Sequence, residues 1–448
     1  MLSPDTARDT VQSLVEQARK AGADAADALY IGDRSDSVTV RMAALEGVSS
    51  SEGEEIGLRV FNGTRSASVA SSALASEALA ALVERALAMA AEAPEDPWSG
   101  LAPPELLLRK TPGDFDTYDN TSVDPAELKT RALEAEAAAL AIPRVSNSGG
   151  CSASASASVT ALATSTGFAA AARGSGHSIV ASVIAGEAGA LQRDYDYDSM
   201  RFLADLEDAT DIGRRAGERS ASRLDPVKFA PGRMPILFDP RVASSLIGHL
   251  TGAITGGAIA RKASFLMDKL GTRLFASGIT LSDDPHRQRG LRSRSFDGEG
   301  LPTSPRNLID DGILTTWLAD SASARQLGIA PTGHAVRGAS GAPSAGPSNL
   351  VLHAGPRSRD QLLAAYPRAI LVTELIGMGV NGVTGDYSRG AAGFLVEHGE
   401  IVGPVSEITI ASNLLDMFAT LEPGSDLTLR KGIDSPTLLI PEMTVAAA

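Results

Sequence analysis

The chain has 448 residues, 43% hydrophobic and 21% charged, a balance that excludes a disordered or fibrous protein and leaves room for two or three domains. Its 40 basic and 54 acidic side chains give a net charge of −14, a field that repels phosphate backbones and anionic lipid, so neither nucleic acid nor a membrane is expected as a partner. The single cysteine, Cys151, excludes an internal disulfide framework and a cysteine-rich metal site.

The N-terminus, Met1-Leu2-Ser3-Pro4-Asp5, lacks the basic start and apolar core of a leader peptide, and no apolar run is long enough to span a bilayer, so a cytoplasmic location is expected. Ser3 and Pro4 suit the start of a helix whose buried stripe is Val11, Leu14, Val15 and Ala18. Strands are expected at 28–31, 37–41 and 56–61, the last turning through Asn62-Gly63 into 64–70. A second helix carries Leu79, Leu82, Val83 and Ala86 and stops at Pro94. Prolines 97, 103, 104 and 112 then mark a boundary. Asp124, Pro125 and Glu127 spell the capping box of a third helix. The Ser/Ala alternation from Cys151 to Val159 reads as part of a meander of small-residue strands, with a flexible linker as the competing reading.

A polar helix over 206–224 is followed by Pro226 and Pro231, a second boundary, and by a buried strand at 235–238. Asp239-Pro240 caps a helix with Val242, Leu246, Leu250 and Ile254 on one face, and the remainder is strand-like and loop-rich. The expected class is α+β, with a mixed α/β region at 1–110, a helix-plus-meander segment at 111–228 continuous with it, and a β-rich domain at 229–448.

Most motifs fail on context. Gly377-Met378-Gly379-Val380-Asn381-Gly382 satisfies G-x-G-x-x-G, but Val383-Thr384-Gly385-Asp386 continues glycine-rich instead of opening a helix towards a pyrophosphate. Asp194-Tyr195-Asp196-Tyr197-Asp198 resembles the front of a calcium loop, yet Ser199 stands at the turn glycine and Asp205 at the bidentate glutamate. The expected arrangement is an extended segment with its carboxylates in solvent and its tyrosines packed. No two of the six histidines lie at a helical metal spacing, and His249 stands without a neighbouring glutamate, as a packing or hydrogen-bonding residue. No P-loop or G-x-S-x-G elbow occurs. Cys151 reads as a small buried thiol, and the basic run from His286 to Arg294 as a solvated or subunit-contacting loop, with capture of a peptide carboxylate as its other use.

Several stretches in order, namely 52–60, 193–197, 239–241, 279–284, 373–377, 386–394, 407–410 and 413–414, resemble the PmbA/TldE branch of the TldD/PmbA family. The resemblance implies a chain that pairs with a TldD-type subunit carrying zinc on an H-E-x-x-x-H helix and a late cysteine. The comparable positions here are Leu246, Ile247, His249 and Thr251 in Leu246-Ile247-Gly248-His249-Leu250-Thr251, and 426–432 has no cysteine. No metal ligand and no catalytic residue is therefore expected in this chain, with zinc in the partner. The pair is expected to process or degrade peptides or unfolded protein. Residues expected to line a channel to substrate or partner are Glu374, Gly377, Gly379, Asn381, Gly382, Thr384, Gly385, Asp386, Ser388, Arg389 and Gly390, although their glycines also suit plain tight turns. The competing functions are a free-standing homodimer that binds peptides without cleaving them and a hydrolase with an unrecognised site.

Overall fold

The computed structural model describes residues 1–187 and 189–447. Helix α1 (Pro4–Lys20) is capped by the Ser3 hydroxyl, which accepts from the Thr6 N–H at 3.2 Å, and buries the predicted stripe. Strands β1 (Ala25–Arg41), β2 (Ala44–Asn62) and β3 (Arg65–Ser71) follow, then α2 (Ser76–Glu92). The two short strands expected at 28–31 and 37–41 are one strand. Its middle is polar, but it pairs on both sides, with β2 and with β4 (Val145–Thr164), so the ladder is filled on both edges from Asp27 to Val40. The tight Met42-Ala43 turn has both residues at positive φ without a glycine. The buried Glu136 carboxylate holds it, accepting from both backbone N–H groups at 2.9 and 2.7 Å.

Helix α3 (Pro125–Leu140) begins on Asp124, whose carboxylate accepts from Glu127 N–H at 2.8 Å. The reciprocal half of the expected capping box is replaced by an ion pair from Glu127 to Arg131 one turn on. The Ser/Ala run lies wholly within β4, which pairs with β5 (Ala169–Ala185), so the linker reading falls. Strand β6 (Gln192–Met200) and α4 (Ala209–Ser222) complete this part. The six strands form one antiparallel sheet in the order β3-β2-β1-β4-β5-β6. One end of one face is covered by α1 and α2, and the other end by α3 and α4.

The remaining elements are β7 (Gly232–Phe238), α5 (Pro240–Ala253), α6 (Gly256–Ala260), β8 (Leu281–Asp283), β9 (Arg306–Asp310), β10 (Ile313–Leu314), α7 (Ser321–Leu327), β11 (Ala335–Val336), β12 (Ser344–Ala345) and β13 (Leu350–Leu352), followed by α8 (Arg359–Leu363), β14 (Arg368–Ile376), β15 (Asp386–Glu397), β16 (Glu400–Asn413), α9 (Leu414–Thr420), β17 (Glu422–Pro423), β18 (Ile433–Asp434) and β19 (Leu438–Ala447). Strands β16-β15-β14-β7-β19 pair in sequence, and β16 pairs back onto β19, closing a five-stranded barrel. A small sheet, β10-β9-β8-β13-β18, shares its core with the barrel and α5. The class is α+β.

The far face of the first sheet packs on this C-terminal region through Leu29, Leu162 and Phe168 against Phe296 and Leu301. Ion pairs reinforce the junction. Asp27 is buried between Arg59 and Arg337, and Arg337 Nη1 lies 2.6 Å from its Oδ1. Burial would raise the Asp27 carboxyl, but the two guanidiniums outweigh it and hold the group below its usual range. The basic run at 286–294 is solvated in part, with Arg289 and Arg292 exposed, and in part held by ion pairs. Arg287 pairs with the buried Asp434 at 2.6 Å, and Arg289 with Asp116 at 2.7 Å and Asp205 at 3.0 Å.

Candidate functional site

Helix α5 starts where β7 leaves the barrel, and the Asp239 carboxylate caps it. Leu246 and Ile247 point into the core at 1% and 4% exposure, and the Thr251 hydroxyl donates to the Ile247 carbonyl at 3.0 Å, so these three are structural. His249 faces β15. Its ring meets Tyr387 edge to face at 6.1 Å, and neither His249 Nε2 nor the buried Tyr387 hydroxyl has a hydrogen-bond partner. Burial lowers the His249 pKa, and the positive Arg389 side chain beside it lowers it further. Burial also pushes the Tyr387 hydroxyl up to about 12. The α5 site therefore holds one neutral imidazole, one neutral phenol and a fixed cation.

These donors do not fit a zinc ion. Zinc needs three protein ligands, commonly with a carboxylate nearby to activate water, whereas the groups facing His249 are a phenol and a guanidinium that repels a cation. No cluster of three His, Cys, Asp or Glu side chains suited to a metal occurs among the described residues. Cys151 is fully buried, and desolvation pushes its thiol up to about 11, far from a nucleophilic thiolate.

The loop between β14 and β15 holds the glycine-rich stretch. Asn381 Oδ1 accepts from Val383 N–H at 2.9 Å, and Thr384 Oγ1 donates to Asp386 Oδ2 at 2.6 Å. Asn413 Nδ2 donates to the Thr384 carbonyl at 3.0 Å and to Asp386 Oδ1 at 3.2 Å. The Thr384 and Asn413 donors lower the Asp386 pKa. Gly385 sits at φ +80°, and a Cβ on Gly379 would lie 1.8 Å from the Ser388 carbonyl oxygen, so both glycines are required by the loop itself. No helix follows Gly377, which removes the phosphate-binding geometry of the motif. Met378 is 90% exposed, with Ile376 and Val383 exposed beside it, above an open groove lined by Gly379, Asn381, Gly382, Asp386 and Ser388.

The Asp/Tyr alternation on β6 is inverted from expectation. Asp194, Asp196 and Asp198 are buried, while Tyr195 and Tyr197 are the exposed pair. The cause is the basic side chains packed over that face. Arg215 and Arg219 of α4 each reach Asp196 at 2.6 Å, Arg241 of α5 grips Asp194, and Arg430 pairs with Asp198. Arg241 and Lys431 also lie over the Tyr195 and Tyr197 rings, at 5.6 and 4.7 Å.

Three family models match the chain in order: PmbA/TldA metallopeptidase domain 1 over residues 26–90, the central domain over 118–224 and the C-terminal domain over 231–447. The metalloprotease PmbA of Escherichia coli is 39% identical over 412 residues, covering 92% of this chain and 89% of its own length. The chain belongs to the PmbA/TldD metallopeptidase family. Two solved structures support the fold of this PmbA/TldD chain. One is a candidate modulator of DNA gyrase from Bacteroides thetaiotaomicron, 27% identical with a TM-score of 0.92 over the full length of both chains. The other is TldE from Thermococcus kodakarensis, 21% identical with a TM-score of 0.85, covering 98% of this chain and all of that one.

Within this PmbA/TldD chain the predicted channel residues divide in two. Gly377 to Ser388 gather at the exposed loop, while Glu374 turns to Arg223, the residue capping the end of α4, in an ion pair between the two halves. Arg389 faces α5 with its Nε unpartnered, and Gly390 packs against Ile376. Sequence reasoning missed Tyr387 as the partner of His249. The signal available was strand alternation, which puts Tyr387 and Arg389 on the face opposite Asp386 and Ser388.

Proposed function

We propose that this chain is the non-catalytic subunit of a heterodimeric zinc peptidase whose TldD-type partner supplies the metal, and that the pair processes or degrades peptides and unfolded protein in the cytoplasm. The α5 site carries this reading. At the position where a zinc-bearing relative would present two imidazoles and a glutamate, this chain presents Leu246, Ile247 and Thr251, with His249 facing a guanidinium. The exposed Ile376, Met378 and Val383 around the loop groove support a contact there with the partner or an extended peptide, since an apolar patch rimmed by polar groups marks an interaction surface. No helix among the described residues is long and apolar enough to cross a membrane.

The test is metal content and casein cleavage by this chain alone, by a TldD-type chain from the same genome alone, and by the two mixed. Cleavage is expected only where the partner is present and fullest in the mixture. Stoichiometric zinc together with cleavage by the isolated chain would overturn the reading.

A further inference from the structure

One cavity lies away from both α5 and the glycine loop. It lies at the junction of the two halves, between the far face of the first sheet and the segment 293–298, with a volume of about 760 Å³, within the usual range for small-ligand sites. Six cationic side chains line it against two acids, Asp114 and Asp297, in a protein whose net charge is −14. Asp114 is exposed at the rim. Asp297 is buried and directs its two oxygens to the backbone N–H groups of Glu299, Leu301 and Ala335.

Three arginines of the wall matter, Arg201 and Arg294 half-buried and Arg337 with a buried side chain. Arg201 donates only to the carbonyls of Ser175, Gly290 and Leu291. Arg294 donates to the Gly346 carbonyl, and its Nε has no partner. Neither has a carboxylate within 4 Å among the described residues, and desolvation lowers the pKa of both, unopposed at Arg201 and only partly offset at Arg294 by the charges of Asp297 and Asp283. Arg337 is spent on Asp27 through Nη1, and its side chain, only 1% exposed, stands behind the wall as fixed positive charge. The rest of the wall is apolar, chiefly Ile31, Leu162, Phe168 and Phe296, with the two phenylalanine rings edge to face at 5.1 Å.

A guanidinium with free N–H groups matches a carboxylate, and an apolar wall beside it matches a ligand whose other end is hydrophobic. We propose that this cavity binds a short apolar peptide by its free C-terminal carboxylate, the carboxylate against Arg294 and the side chains against Phe168 and Phe296. That the apolar body is a peptide rests on the proposed function, whereas the carboxylate requirement rests on Arg294 and the cationic lining alone.

The test is calorimetric titration of the full chain, without any partner, with acetyl-Ala-Leu-Phe as free acid, with its C-terminal amide and with octanoate. The acid is expected to bind saturably and the amide at least about tenfold more weakly, the loss a charged hydrogen bond implies. Arg294→Gln is expected to weaken the acid by a similar factor with an unchanged thermal midpoint. If that variant fails to fold, the comparison of acid with amide on the natural chain still decides. Equal affinity for acid and amide, no saturation at millimolar ligand, or full binding by a folded Arg294→Gln overturns the proposal. Tighter binding of octanoate than of the peptide acid overturns its peptide part. No cleavage enters this measurement, so its failure leaves the partner-subunit reading standing, and failure of the casein experiment leaves the carboxylate site standing.

Discussion

Arg241 grips Asp194 with both terminal nitrogens, Nη1 to Oδ1 at 2.8 Å and Nη2 to Oδ2 at 3.0 Å, and so ties the first helix after the barrel's first strand to the last strand of the N-terminal sheet. Arg223 adds a second cation to the same carboxylate at 3.3 Å. Burial would raise Asp194, but the Arg241 hydrogen bonds and charge outweigh it and hold the group below 3.8. A carboxyl whose folded pKa is depressed contributes stability above its unfolded pKa, and that contribution is lost as pH falls through the folded value. Arg241→Met should cost about 3 kcal/mol at neutral pH, as for one partner removed from a buried pair. Asp194→Asn should also destabilise at neutral pH. In urea unfolding its deficit should shrink below pH 3.8; a deficit independent of pH would refute the assignment.

Glu299 should act with the opposite sign. It is buried and accepts from Ser321 N–H at 2.8 Å and from the Ser321 hydroxyl at 2.7 Å. Desolvation, reinforced by the Asp297 charge, pushes it from 4.5 up to about 7. With a raised folded pKa, its favourable contribution is whole below pH 4.5 and is lost as pH rises towards 7. The span corresponds to about 3 kcal/mol. Glu299→Gln should flatten the fall in stability between pH 5 and about 8 that the natural chain shows in urea titrations. An unchanged slope would reject the shift.

The α5 helix should not become a metal site by one reversion. Ile247→Glu places a carboxylate at a position only 4% exposed, and it should cost several kcal/mol, on the order of 3, by thermal or urea unfolding. Elemental analysis should find no stoichiometric zinc in that variant, because Leu246 and Thr251 still supply no imidazole and Arg389 still faces His249. Stoichiometric zinc in this variant would contradict the donor argument.

Two glycines of the exposed loop should part company. Gly379→Ala drives a Cβ to 1.8 Å from the Ser388 carbonyl oxygen and should cost about 1–3 kcal/mol. Gly382→Ala meets nothing nearer than the Ala263 carbonyl oxygen at 4.0 Å and should leave the unfolding midpoint unchanged. If the loop contacts a partner or an extended peptide, Gly382→Ala should nevertheless lower partner-dependent cleavage. Unchanged cleavage would leave the glycines as turn residues only.

Local chemistry made the helices legible. Ser3 and Asp124 cap where their oxygens can reach free N–H groups, and the stripes of α1 and α2 are the buried residues found. The β6 alternation was legible as extended chain, but not which side faces inward. Period two is symmetric, and the deciding arginines, 215, 219, 241 and 430, come from other segments. The Met42-Ala43 turn was hidden for the same reason, since its restraint is a glutamate 93 residues further on. At the candidate site, the burial of Leu246 and Leu250 on α5 followed from its apolar stripe. The Tyr387 and Arg389 side chains that occupy its surroundings could not be read, because nothing local in β15 reports which helix will cover it.

The barrel also imposes an order of events on the newborn chain. Strand β7 emerges early in the C-terminal half, yet one of its two neighbours is β19, with Phe238 opposite Leu438. Closure also needs β19 against β16, where Ile410 faces Val445. The first stave therefore waits, with a free edge of Ile236, Leu237 and Phe238, until β19, about 200 residues further on, has been made. A contact between such distant segments makes slow, late folding the expected behaviour, with that apolar edge prone to wrong pairing until β19 arrives.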